Sequence, residues 1–173
     1  MKKSFGIIGA GNIGQAVARH LINAGYQVTL SNSKGIEPLK EIVASLGKNA
    51  KAGTAVEAAQ QDIVLLALPW SQLPTITKLV DWTDRIVLDA TNHFINANFD
   101  VADLNGKASS EVVASYLPGA KIVKVFNTLY FKILAADPHE AGGRRVLFLS
   151  ADDVPSKKEG ICSGRFRDIG RRK

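Results

Sequence analysis

Gly9, Gly11 and Gly14 stand in Gly-x-Gly-x-x-Gly spacing behind a strand-like run that begins at Ser4. Ile13, Val17, Leu21 and Ala24 then share one face of a helix. A strand that turns into a helix through such glycines can hold a dinucleotide. The first glycine permits the tight turn, the second lets the backbone approach a pyrophosphate, and the third lets the helix pack closely on its strand. The first N–H groups of that helix, with its dipole behind them, attract phosphate. Gly9, Ala10, Gly11, Asn12, Ile13 and Gly14 are therefore the expected phosphate loop. The bland alternative is a coincidental glycine turn, and a second strand-like run at Gln27 to Leu30 argues against it.

That second run ends in Ser31-Asn32-Ser33-Lys34-Gly35, with no carboxylate before Glu37. In NAD-selective sites an Asp or Glu here accepts from the ribose 2′-OH, and such a charge would repel a 2′-phosphate. Hydroxyls, an amide and a lysine suit that phosphate instead. The expected cofactor is NADP, with Ser31, Asn32, Ser33 and Lys34 at its 2′-phosphate. The same residues also make an ordinary polar turn, so the absence of the acid tells more than the presence of the lysine.

A scaffold must hold these turns side by side. Strand-like and helix-like segments alternate along the chain, which predicts an α/β fold of Rossmann type: a doubly wound parallel sheet with helices on both faces. Strands are expected at 4–9, 27–31, 50–52, 63–68, 85–90, 121–126 and 144–149, and helices at 13–24, 37–46, 71–80, 110–117 and 130–136. Thr54 and Glu57 fit a capping box at the start of a further helix. Asn92 to Lys107 has no clear period and reads as a long polar loop of the kind that often serves function. Ligands of such sheets bind beyond the carboxyl ends of the strands. Those ends are the glycine loop, Ser31–Lys34, Leu68-Pro69-Trp70, Ala90-Thr91-Asn92-His93, Asn127-Thr128 and Ser150–Asp152.

Composition narrows the class. With 173 residues and 46% apolar residues, one globular domain with a sizeable core is expected. The single cysteine, Cys162, excludes an intrachain disulfide, and three scattered histidines have no ligand spacing, so no metal site is expected. A reducing cytoplasm is the default compartment. No apolar run approaches the length of a membrane span. Residues 156–173 carry seven basic and two acidic residues, and so five of the six net positive charges. The basic character belongs to this tail and says little about a partner of residues 1–155.

The chain resembles the coenzyme F420-dependent NADP oxidoreductase family, F420 being a deazaflavin. The resemblance rests on Ile7-Ile8-Gly9-Ala10-Gly11-Asn12-Ile13-Gly14, Ser31-Asn32-Ser33-Lys34-Gly35, Ala67-Leu68-Pro69-Trp70 and Leu88-Asp89-Ala90-Thr91-Asn92. Ala108-Ser109-Ser110-Glu111, Lys124-Val125-Phe126-Asn127-Thr128-Leu129 and Arg144–Phe148 with Asp152-Asp153 complete it, over roughly residues 3–158. It implies that Ala10 to Ile13 wrap the pyrophosphate and that Asn32 to Lys34 hold the 2′-phosphate. It also implies that Leu68, Pro69, Thr91 and Asn92 sit near the nicotinamide. Lys34 stands where members of the family often carry arginine, which weakens bidentate phosphate recognition.

Family members continue from the Asp-Asp strand end into a helix and a strand, whereas Gly160 to Arg167 has no helical period. The expected organisation is therefore an NADP-binding domain, 1–155, and a basic tail, 156–173, truncated or partly disordered and adding little to the core. The competing expectation is that Ile161, Phe166 and Ile169 dock on the edge of the last strand.

Other groups at the strand ends have two readings each. His93 is a proton donor or a loop histidine, Asp89 a catalytic carboxylate or an acceptor for loop amides, and Trp70 and Phe94 stacking platforms or packing. No catalytic residue is assigned, because hydride transfer between stacked rings needs position rather than a side-chain nucleophile. The expected function is an NADP-dependent oxidoreductase passing hydride between NADP(H) and a deazaflavin, flavin or similar small-molecule acceptor. The alternative is an NADP-binding module without turnover. A homodimer is among the expected assemblies. The tail has one aromatic and no recognised motif, so no specific nucleic-acid partner is expected.

Overall fold

The computed structural model describes residues 2–139, 142 and 145–162. Seven strands form one sheet: β1 (Ser4–Ile8), β2 (Gln27–Ser31), β3 (Ala50–Ala52), β4 (Ile63–Leu66), β5 (Ile86–Asp89), β6 (Lys121–Val125) and β7 (Leu149–Ser150). Their order is β3-β2-β1-β4-β5-β6-β7. The first six run parallel, and β7 is antiparallel to β6, pairing Lys124 with Ser150 and Val125 with Leu149. The order reverses between β1 and β4, where the crossovers leave on opposite faces. This is the doubly wound Rossmann architecture.

Parallel strands covered on both faces must be apolar throughout. Ile63, Val64, Leu65 and Leu66 of β4 are all fully buried. Alternate side chains feed two cores. On one face Phe5, Ile7, Leu30, Leu65 and Leu88 pack with Val17 and Leu21 of α1 (Asn12–Asn23) and Leu134 of α6 (Phe131–Ala135). On the other, Ile8, Val64, Leu66 and Val87 meet α3 (Ala55–Ala59), α4 (Leu73–Ile76) and α5 (Ser109–Tyr116). α2 (Lys40–Leu46) follows a 3-10 turn at Glu37–Leu39, and α7 (Val154–Cys162) ends the described chain. The capping box is present: Glu57 N–H donates to Thr54 Oγ1 at 3.1 Å and Thr54 N–H to Glu57 Oε2 at 2.8 Å. No helix among the described residues is long and apolar enough to cross a membrane.

Three elements differ from the sequence reading. The helix expected over 71–80 is a 3-10 turn, Trp70–Gln72, and one turn of α4. The buried Trp82 explains the early stop, since its Nε1–H donates to the carbonyls of Ile76 (3.2 Å) and Thr77 (3.1 Å), which a longer helix would use itself.

The strand expected over 144–149 is regular only at Leu149–Ser150, with residue 144 outside the described residues. Arg145 is tied to the loop after α6 through Ala136 O (3.1 Å), Asp137 O (3.1 Å) and its own N–H to Pro138 O (3.0 Å). That tether keeps it off the sheet.

Residues 154–162 are helical, so α7 carries the chain through the boundary expected at 155/156. It packs against β6 and β5, and Ser156 is buried, its N–H on Asp153 Oδ2 at 2.7 Å. Residues 163–173, with Phe166, Ile169 and most of the basic charge, lie outside the described residues.

Candidate functional site

The chain leaves β1 at Gly9, whose φ of +112° belongs to the left-handed region that glycine alone enters freely. Its N–H donates to Ser31 O at 3.0 Å, and a Cβ there would collide with the carbonyl of Ala67. Gly11 begins α1 in extended conformation, with no side-chain cap and no acidic residue in the first turn. Gln15 braces the loop, its N–H on Gly11 O (2.9 Å) and its amide on Ala10 O (2.8 Å). A Cβ on Gly11 would meet nothing within 4 Å, whereas one on Gly14 would strike Gly9 O. The three glycines thus divide the work as their spacing implies: turn, open approach, close packing.

The open end of α1 faces a cleft of about 1110 Å³, slightly above the roughly 300–1,000 Å³ usual for small-molecule sites. Gly9, Ala10, Gly11, Asn12 and Ile13 form its floor. Asn32, Ser33, Lys34, Pro38 and Ile42 line one end, and Leu68, Pro69, Asn92, Asn127 and Thr128 the other. The cleft therefore crosses the sheet where the strand order reverses, the place where open α/β sheets bind ligands.

Five expected site residues take distinct places. Ser31 is fully buried, its hydroxyl donating to Ile7 O at 3.1 Å, so it shapes the β2 end from behind and offers the cleft no surface. Asn32 Oδ1 accepts from Lys34 N–H at 2.7 Å, which closes the turn. Ser33 and Lys34 are exposed at the cleft edge, and no carboxylate among the described residues pairs with Lys34. Gly14 lies behind the loop rather than on the cleft.

Thr91 is 3% exposed and borders a smaller pocket that continues the cleft toward Trp70 and Ile95. Asp89 is buried and accepts from Thr91 N–H (2.8 Å), Thr91 Oγ1 (2.7 Å) and Lys124 Nζ (2.9 Å), so it bonds the loop rather than facing the cleft. Asn92 Nδ2 donates to Asn127 O at 3.1 Å. His93 packs edge-on to Trp70, ring centroids 6.0 Å apart, and lines a separate hollow under the 101–109 segment. Phe94 and Phe99 meet edge to face at 5.1 Å and do reach the cleft.

The sequence reading missed Lys124 and the apolar end walls, Pro38, Ile42, Leu79, Tyr130 and Phe131. The signal for Lys124 was a charge inside the apolar run Ile122–Phe126, directly opposite Asp89 in the sheet register.

The family model for the NADP oxidoreductases dependent on coenzyme F420 matches residues 4–93, just over half of the chain. Among solved structures, the hypothetical protein SMa0349 from Sinorhizobium meliloti is 40% identical, with a TM-score of 0.86 over 94% of this chain and 81% of that one. A protein described as an F420-dependent NADP-reductase from Arthrobacter sp. FB24 superposes with a TM-score of 0.81 over 97% of this chain and 81% of that one. At 20% identity it speaks for the fold alone. Erythronate-4-phosphate dehydrogenase of Psychrobacter sp. (strain PRwf-1) is 30% identical over 150 residues, 79% of this chain, and the match spans only 37% of that protein. The matched segment holds the glycine loop, the open helix end and the point where strand order reverses, and the chain belongs to the coenzyme F420-dependent NADP oxidoreductase family.

Proposed function

We propose that the cleft binds NADP(H) and that the chain passes hydride between it and a deazaflavin such as coenzyme F420, a flavin or a similar flat acceptor. One observation carries the reading: the uncapped start of α1 opens into the cleft beside a turn that has Lys34 and no carboxylate. Residues Gly11–Ile13 would hold the pyrophosphate on backbone N–H groups, and the open space above Gly11 leaves it room. Asn32, Ser33 and Lys34 would take the 2′-phosphate. The reduced nicotinamide supplies the hydride.

The chain's own contribution is position. Leu68 and Pro69 floor the far end of the cleft, Asn92 and Asn127 offer polar groups to a carboxamide, and the apolar rim of Phe94 and Phe99 restricts water. In this reading the dinucleotide-binding unit, expected to end at 155, extends through α7, and the basic residues of 163–173 take no part in the site.

Titration of the purified chain with NADPH and NADH tests the cofactor, and a screen of F420, FMN and ferric chelates tests the acceptor. NADPH is expected to bind more tightly and to be oxidised by at least one ring acceptor. Tight NADPH binding without oxidation by any acceptor would leave a binding module.

A further inference from the structure

We propose that Lys124 is a positioning residue whose ammonium fixes the Thr91-Asn92 turn at the nicotinamide end of the cleft. The proposal deepens the NADP(H) reading and rests on it.

Lys124 lies on β6, directly across from Asp89 on β5. Its side chain is 12% exposed and that of Asp89 is 0% exposed, so the pair is nearly dry. Core positions on neighbouring strands are otherwise apolar, and a dry ion pair costs more desolvation than an apolar pair of similar volume. Burial alone gives no reason for the two charges. Their geometry does. Nζ donates to Asp89 Oδ2 at 2.9 Å and to the carbonyl of Thr91 at 2.6 Å. The other oxygen of Asp89 takes both Thr91 N–H and Thr91 Oγ1. One cation and one carboxylate thereby hold three polar groups of Thr91.

The next residue is held from the same strand end. Asn92 Nδ2 donates to Asn127 O, just past Phe126, which is buried at a φ of +67°. A non-glycine residue in that region needs surrounding structure to hold it, and such positions gather at functional sites. The turn 91–92 is therefore held twice, once to β6 through Thr91 O and once to the segment just past β6 through the Asn92 side chain. Leu68, Pro69 and Asn92 line the cleft beside it. A shift of this turn would move the nicotinamide end and leave the Asn32–Lys34 end, across the sheet, untouched.

That asymmetry supplies the test. NADPH is compared with 2′-phospho-ADP-ribose, which lacks only the nicotinamide, on the full-length chain and on the double variant Asp89→Asn, Lys124→Met. Removing both charges avoids a stranded buried ion, and a melting curve checks the fold. NADPH affinity is expected to fall roughly tenfold while the fragment holds within about twofold, since misplacement acts only where the ring sits. Equal weakening of both ligands, or of neither, would overturn the positioning role. If the double variant does not fold, Lys124→Arg carries the test, because it keeps the buried charge paired with Asp89 while moving the donor away from Thr91 O. The same selective loss is then expected, and unchanged or equal affinities overturn the proposal. A wild-type chain that binds neither ligand would sink the NADP(H) reading itself, a result distinct from both.

Discussion

At the scale of single residues, the glycines separate folding from binding. Gly11→Val places a branched side chain in open cleft, so melting should change little while NADPH affinity falls by roughly a hundredfold or more, as expected when a ligand is displaced from its geometry. Gly14→Val drives the side chain into Gly9 O and should unfold the chain; calorimetry beside a binding titration distinguishes the two. Asn32→Asp sets a negative charge where the 2′-phosphate is proposed to lie. It should weaken NADPH much more than NADH, and equal weakening would remove this turn from the site. Asn32 rather than Ser31 is the informative position, because Ser31 is buried behind the strand end. The glycine turn was legible because each glycine answers a backbone constraint that spacing alone declares. Lys124 was not, because its meaning depends on which residue of β5 stands opposite, and sequence does not carry register.

At the scale of elements, Asp62 shows how a loop carboxylate joins two strands distant in sequence. Its Oδ2 accepts from Ser4 N–H at 2.7 Å and from Ser4 Oγ at 2.8 Å, tying the start of β1 to the start of β4. The Ser4 N–H bond, then the Ser4 hydroxyl, hold the Asp62 carboxyl below the usual aspartate range. The folded-state pKa is thus the lower one, so this contribution is complete above the unfolded value of about 3.9 and is lost as pH falls through the folded value. Asp62→Asn should lower stability at pH 7 by at most about 1 kcal/mol, given its solvent exposure, and should flatten the acid dependence below about pH 4. Denaturant titrations at pH 3, 4 and 7 measure both effects. Strands β2 and β3 match their expected bounds because turn residues bracket them, Gly25 ahead of β2 and Gly47 and Gly53 on either side of β3. α4 ended early because a tryptophan six residues on claims its carbonyls, and no local pattern announces such a contact.

At the scale of the whole molecule, the end of the described chain belongs to the fold. α7 packs on β6 and β5, and Ser156 is 2% exposed. Removing residues 154–173 should therefore lower the melting temperature by several degrees, since about 1 kcal/mol corresponds to roughly 2–4 °C in a chain of this size. An unchanged melting curve would show that α7 adds nothing to the core. The architecture was readable from the alternation of strand and helix, but the antiparallel β7 was not, because Arg145 and its carbonyl partners decide where the last segment meets the sheet.

The reversal of strand order also has a kinetic consequence. β1 joins β2 after one short crossover, and β4 joins β5 likewise, but β1 meets β4 across a separation of 58 residues, as the Ser4–Asp62 bond records. Contacts so far apart in sequence close slowly, because chain entropy must be lost before they form. The seam that forms latest is then the one over which the cleft lies. During refolding, helical circular dichroism should recover ahead of nucleotide-dependent fluorescence, and substitutions at the β1–β4 seam should slow the second signal more than the first.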